Sequence, residues 1–418
     1  MSCDPRWSFA EYTTRQTMAL THGYHKYPAK FIPPLAARLI EEYSSPGDLV
    51  GDPFMGSGTT LVESIIHGRR AVGVDINPIA WLISKVKTTP LEPAKLTQVL
   101  EELKESLPTD GEGRLIKAGK PSRLIHERID YWFAEPNRSE LEVVLDQINR
   151  EPNDDIRRFL LCGFSNVLKT CSRWLMKSSK PTVDRQKVIP PLVPALLRQL
   201  QRMEQRNLLF FEEVRGSGPP AWAKVVNGDA RSLPVKAGSI DLIVTSPPYV
   251  TSYEYADLHQ LSNLVLGFAT DLRELRQTFI GSVRAAEVEE VLLSPLAKLT
   301  VDRLTTANRI EGRGALTYFQ SMQQCLREMH EKLKQGARAC LVIGDTELKK
   351  VPVPNAEVFA ETGERLGLEL ERVIKRCIPS KILPQTRDPR TGRFTSARKA
   401  KALAYPEEYI LVMRKPKA

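Results

Sequence analysis

The sequence predicts an α/β fold, a mainly parallel sheet with helices on both faces. Three observations predict it. Short apolar runs alternate with stretches of helical periodicity, the rhythm of βαβ units. The first apolar run ends in a glycine-rich turn that opens a helix. The chain closes on two apolar runs joined by a basic segment instead of a helix, which predicts a hairpin and one antiparallel strand.

The elements follow in order. Residues 48–54 (DLVGDPF) read as a short buried strand, followed by a helix from Thr59 to His67. Residues 70–76 (RAVGVDI) form a second strand that ends in an acid. Strands are predicted at 223–229 (AKVVNGD) and 240–246 (IDLIVTS), then a helix near 316–334. A strand at 337–345, a helix near 355–366 and strands at 371–378 and 408–414 complete the sheet. Residues 90–222 break the rhythm with long helical periodicities such as LTQVLEELKESL and PALLRQLQRMEQRNLLFFEEV, and read as a helical insertion. A smaller helical insertion spans 250–314. The linkers are placed at Pro90–Lys95, Gly216–Pro220 and Gly312–Gly314. The organisation expected is 1–89, the first part of the main domain; 90–222, the helical insertion; and 223–418, the second part.

The 418 residues allow two or three domains at roughly 150 each. An apolar fraction of 42% with 26% charged residues excludes a disordered chain, a collagen-like chain and a disulfide scaffold. The net charge of +10 favours a polyanionic partner only weakly. Its placement says more: from Glu371 onward there are 13 Lys and Arg against four Asp and Glu. The six cysteines are scattered without CxxC spacing, so free thiols are expected and no metal site. The start lacks a secretory pattern and no apolar run is long enough to span a membrane, which together suggest a cytoplasmic protein.

Two motifs carry chemistry. In Asp52-Pro53-Phe54-Met55-Gly56-Ser57-Gly58-Thr59-Thr60, glycines let the backbone approach a ligand, and the helix that follows offers free N–H groups. Asp75, 17 residues after Gly58, suits a carboxylate accepting both hydroxyls of a ribose. Leu61 stands where a dinucleotide fingerprint has its third glycine, and there is no GKS or GKT, so the pattern points to another nucleoside-type cofactor. In Thr245-Ser246-Pro247-Pro248-Tyr249, two prolines remove backbone donors and leave carbonyl and hydroxyl acceptors beside an aromatic ring. Such a cluster suits the exocyclic amino group of a planar base.

DPFMGSGTT and TSPPY together resemble the amino-group DNA methyltransferases that use S-adenosylmethionine, and the Ser of SPPY resembles the cytosine-N4 branch. The resemblance implies a doubly wound, Rossmann-like sheet of seven strands with an antiparallel last strand. It implies a cofactor site made of Tyr27, Pro28, Ala29 and Lys30 of HKYPAKF, Asp52 to Phe54, Gly56 to Thr60, Asp75 with Asn77, and Asp229 with Ala230 near the adenine. It implies catalysis by Ser246, Pro247, Pro248 and Tyr249 on a base flipped out of double-stranded DNA. Adenine N6, or less readily guanine N2 of RNA, are the alternative targets. Two basic stretches suit phosphate contacts, one with Lys169, Arg173, Lys177 and Lys180, the other with Arg387, Arg390 and Arg393. Region 90–222 is the candidate DNA-recognition region. A restriction-modification or orphan modification system in a prokaryotic cytoplasm is implied, with or without a separate cognate restriction endonuclease, and the enzyme would be a monomer or dimer. The sequence departs from the commonest SPPY enzymes in placing the glycine motif first.

Overall fold

The computed structural model describes residues 1–28, 31–117, 122–176, 178, 180–215, 221–250, 255–282, 289–378, 386–387, 402–403 and 407–417. Its centre is a seven-stranded sheet of β1 (Leu49–Asp52), β2 (Arg70–Asp75), β3 (Ala223–Asn227), β4 (Ile240–Thr245), β5 (Leu333–Ile343), β6 (Glu369–Cys377) and β7 (Glu407–Arg414). The order across the sheet is β3-β2-β1-β4-β5-β7-β6. β1 to β5 pair in parallel, and β7 runs antiparallel to both its neighbours. The mainly parallel sheet and its antiparallel last strand are therefore as expected. The strand order reverses between β1 and β4, and in open α/β sheets the crevice at the carboxyl ends there is where ligands bind.

Both faces are covered, so the central strands are apolar almost throughout. On one face Trp7 and Leu35, Leu39 and Ile40 of α1 (Pro33–Tyr43) pack on Val50, Leu242, Val244, Cys340 and Val342. Alternate residues of the same strands, Ile243, Ala339 and Leu341, face the other way. There they meet Tyr318, Phe319 and Met322 of the long helix Arg309–Lys332, and Phe359. α2 (Thr59–Ile66) follows β1, and α3 (Pro78–Lys87) follows β2.

The region 90–222 carries α4 (Pro93–Ser106), α5 (Asn137–Asn149), α6 (Asp154–Leu168) and α7 (Leu192–Arg215). Their core residues Leu141, Val144, Phe159, Leu160, Leu196 and Leu200 form one cluster with Ile79, Leu82, Ile83 and Val86 of α3. Between 250 and 314 lie α8 (Gln260–Val265) and α9 (Pro295–Ala307). α10 (Arg309–Lys332) and α11 (Asn355–Arg365) flank β5.

Two expectations need correction. Gly312–Gly314 is no linker: Asn308 caps α10 by accepting from the N–H groups of Ile310 and Glu311, and the helix runs through both glycines. A β-carbon at Gly312 would overlap Thr305, so the glycine lets α9 and α10 approach. β5 starts at Leu333, earlier than the apolar run. Its polar first residues are held through the backbone, as where the Gly336 N–H donates to the Lys415 carbonyl at 2.8 Å.

Candidate active site

The glycine turn closes β1. Gly56 and Gly58 have φ of +47° and +76°, left-handed conformations that favour glycine. A β-carbon on Gly58 would lie 2.7 Å from Ser84 Oγ. α3 props the turn from below: Ser84 Oγ donates to the Gly56 carbonyl at 2.9 Å, and the buried Lys87 Nζ donates to the Ser57 carbonyl at 2.9 Å. Thr59 and Thr60 open α2, where Thr59 Oγ1 donates to the Phe31 carbonyl at 3.2 Å. Pro53 is buried and Phe54 partly buried against the main core.

Asp75 ends β2 beside this turn. Its Oδ2 accepts the Gly56 N–H and its Oδ1 the Asn77 N–H, each at 2.9 Å. Burial pushes its carboxyl up to about 6, against the opposing pull of those two N–H groups. Asn77 caps α3 through the Ile79 N–H, ahead of Pro78 in the first turn. Its Nδ2 donates to Nδ1 of His259 at 3.0 Å. Burial, and then the charge of Lys169, lowers His259 to about 4, which keeps it neutral. The Tyr27 ring stacks on His259 with centroids 4.9 Å apart, and Tyr255 lies beyond at 6.0 Å from Tyr27. Asp229 sits beyond the end of the adjacent β3, where the Gly228 N–H donates to the Asp75 carbonyl at 3.0 Å. Burial pushes the Asp229 carboxyl up, but its fork with Arg231, at 3.0 and 2.6 Å, outweighs that and holds it low. Ala230 is buried behind it.

The second motif meets the first directly. Thr245 Oγ1 donates to Asp52 Oδ1 at 2.6 Å, both residues being buried. Thr60 Oγ1 donates to the Val244 carbonyl at 3.1 Å. Burial pushes Asp52 up to about 6, opposed by the Thr245 and Thr60 hydroxyls. Beyond Thr245, Ser246 Oγ donates to the Val342 carbonyl of β5 at 3.1 Å. Pro247 is buried, and the Pro248 carbonyl accepts from Tyr318 Oη at 2.8 Å. The Tyr249 ring lies against Gly344, where a β-carbon would fall 3.2 Å from it, and its Oη reaches Glu408 at 3.5 Å.

The structure thus gathers Tyr27, the glycine turn, Asp75, Asn77, Asp229 and the SPPY segment at the carboxyl edge of the sheet, and Pro28, next to Tyr27, is half-buried. Ala29, Lys30, Lys177, Arg390 and Arg393 lie outside the described residues, as does the side chain of Arg387. Of the first basic stretch, Lys169 is turned onto the Ser178 carbonyl at 3.3 Å and lies 5.1 Å from the Trp174 ring centre. Arg173 donates to the Tyr131 carbonyl at 2.8 Å, whereas Lys180 is exposed. Lys187, in the same run, caps the carbonyls of Lys169, Ser172 and Trp174. Sequence reasoning missed Ser84, Lys87 and His259. Only the helical register of Ser84 and Lys87, three apart on α3, hinted that both share a face.

A family model described as DNA methylase matches residues 3–85. Type II methyltransferase M.MvaI of Kocuria varians is 28% identical over 89% of this chain and 87% of its own length. Type II methyltransferase M.MjaII of Methanocaldococcus jannaschii is 23% identical over 85% of this chain and 76% of its own. DNA adenine methyltransferase YhdJ of Escherichia coli is 43% identical, but over only 14% of this chain and 20% of its own. The chain is thus similar, along most of its length, to type II DNA methyltransferases, and over residues 3–85 to the DNA methylase family. Among the described residues no helix is long and apolar enough to cross a membrane.

Proposed function

We propose that this protein methylates the N4 amino group of cytosine at specific sites in double-stranded DNA, as the modification enzyme of a restriction-modification or orphan system. The observation that carries the reading is the buried bond between Thr245 and Asp52. It joins the segment suited to a cofactor and the segment suited to an amino group at one crevice.

The residues fit the cofactor. Asp75 keeps lone pairs free on both oxygens after accepting Gly56 and Asn77, so it can take both ribose hydroxyls. Gly56 carries no side chain and lies against Tyr27, leaving backbone close to the methionine part. When bound, the sulfonium supplies an electrophilic methyl group. The chain's own residues then orient the nucleophile. Ser246 spends its proton on the Val342 carbonyl, so Oγ presents lone pairs outward as a fixed acceptor. With the Pro247 carbonyl it takes the amino protons and localises a lone pair otherwise spread into the base. Catalysis of this kind is positioning and electrostatics, with little acid–base work. A duplex base must leave the stack to reach this crevice. The rings of Tyr249, Tyr27 and Tyr255 line the way in. The basic run around Arg387, Arg390 and Arg393 supplies phosphate contacts, with Lys180 exposed for a second set. A separate restriction endonuclease would complete such a system.

A second reading is methylation of adenine N6, favoured by the short but 43% identical match to YhdJ. Incubation with methyl-labelled S-adenosylmethionine and duplex DNA, followed by digestion to nucleosides, separates the two. N4-methylcytosine is expected; N6-methyladenine replaces the proposal, and no DNA label overturns both.

A further inference from the structure

Three donors from distant parts of the chain converge at the far edge of the sheet. They are Cys3 near the amino terminus, Cys377 at the end of β6 and Glu407 at the start of β7. Cys377 and Glu407 are register partners across β6 and β7. The Asp4 N–H donates to the Lys375 carbonyl at 2.8 Å and so lays the amino-terminal segment beside β6. Their ligand atoms all lie within 4.8 Å of one another, and Cys3 Sγ is 3.6 Å from Glu407 Oε1. Cys3 and Cys377 are far apart along the chain and are brought together by the fold.

We propose that Cys3, Cys377 and Glu407 form a structural zinc-type site, two thiolates and one carboxylate with the fourth position open to water. Tetrahedral zinc with bonds of about 2.3 Å to sulfur needs sulfurs roughly 3.8 Å apart, which the observed spacing meets with small side-chain motion. The charges balance. Two thiolates and the carboxylate carry three negative charges, offset by a divalent ion and by Lys375, whose Nζ is 2.7 Å from Glu407 Oε2. That contact leaves Oε1 for the metal. Zinc takes the thiolate form, so binding releases the thiol protons to solvent, forms two metal–sulfur bonds and moves no electrons. A soft sulfur pair selects zinc or cobalt over magnesium or calcium. The site would clamp the points where the chain leaves β6 and re-enters β7, the two ends of the basic segment 378–406.

The test uses the untagged, fully reduced chain and cobalt as a spectroscopic stand-in. One cobalt per chain should bind with an intense thiolate-to-metal absorption in the near ultraviolet, and zinc should abolish it. Cys3→Ser and Cys377→Ser should each cut the band at least by half and weaken affinity by about tenfold or more. Glu407→Gln should weaken affinity but keep the sulfur band. The exposed Cys377 should also react with a maleimide at least about tenfold more slowly when zinc is present. No thiolate band in the reduced wild type, a band unchanged in Cys3→Ser, or maleimide labelling indifferent to zinc would each overturn the site. Circular dichroism of the variants checks that loss of the band is not loss of the fold.

Discussion

Asp75→Asn removes one charge and keeps the shape of the side chain. In the wild type each carboxylate oxygen accepts one backbone N–H, from Gly56 or Asn77, at 2.9 Å. An amide retains one acceptor and turns the other oxygen into a donor that faces an N–H. On the proposed assignment the ribose loses its charged acceptor, and the glycine turn loses one of its ties. Hydrogen bonds to a charged group contribute about 1.5–3 kcal/mol each, so two ribose bonds bound the loss at roughly 3–6 kcal/mol. Water replaces part of that, and a loss of at least about tenfold in affinity, 1.4 kcal/mol, should remain. The pH dependence is sharper. Burial raises the Asp75 carboxyl to about 6, and the ribose needs the ionised form. Wild-type affinity should therefore fall below about pH 6, by at most about tenfold per pH unit for this group, and level off above it. Asp52 also rises to about 6 through burial, so the informative quantity is the difference between the wild-type and variant curves. Calorimetric titration of S-adenosylmethionine from about pH 5 to about pH 8 measures both. Curves that run parallel, or a folded variant that binds as the wild type does at the upper pH, would refute the ribose assignment.

Ser246→Ala should lower single-turnover methylation by roughly tenfold to a thousandfold, about 1.5–4 kcal/mol in the transition state, with cofactor affinity unchanged; full rate would remove Ser246 from the mechanism. Gly58→Ala should cost about 1–3 kcal/mol of stability in urea unfolding, because φ is +76° and Ser84 Oγ stands 2.7 Å from the new carbon. An unchanged midpoint would mean that the turn relaxes freely. Reversing the charge of Arg390 and Arg393 should weaken binding to all DNA sequences and reduce the salt slope by roughly one unit per lost phosphate contact. A constant slope would place that segment away from the phosphates.

What the sequence made legible was local. The strands β1, β2, β4 and β7 announce themselves because burial on both faces leaves them apolar, and the glycine turn because few residues tolerate its dihedral angles. The pairing of Thr245 with Asp52 was not legible, because 193 positions separate them and only the sheet order makes them neighbours. The basic stretch that begins at Lys169 misled in part for the same reason. A cation counted as surface charge can instead bond backbone carbonyls, as Lys169 and Arg173 do. His259 left no trace at all, since a single histidine in a helical stretch says nothing about the Asn77 amide or the Tyr27 ring that it meets.

The reversed motif order becomes understandable from the same geometry. β1 and β4 are parallel neighbours, so their carboxyl ends open on one crevice whichever strand comes first in the chain. Chemistry at the crevice constrains the ends of the strands and leaves the connections free to grow. The large insertion has grown between β2 and β3, and its cost falls on α3. That helix now serves two cores. Asn77, Ser84 and Lys87 support the glycine turn and its surroundings, while Ile79, Leu82, Ile83 and Val86 are buried against the inserted helices. The inserted helices therefore hold in place the helix that shapes the glycine turn. The insertion is as much a foundation of the glycine turn as an addition to the fold.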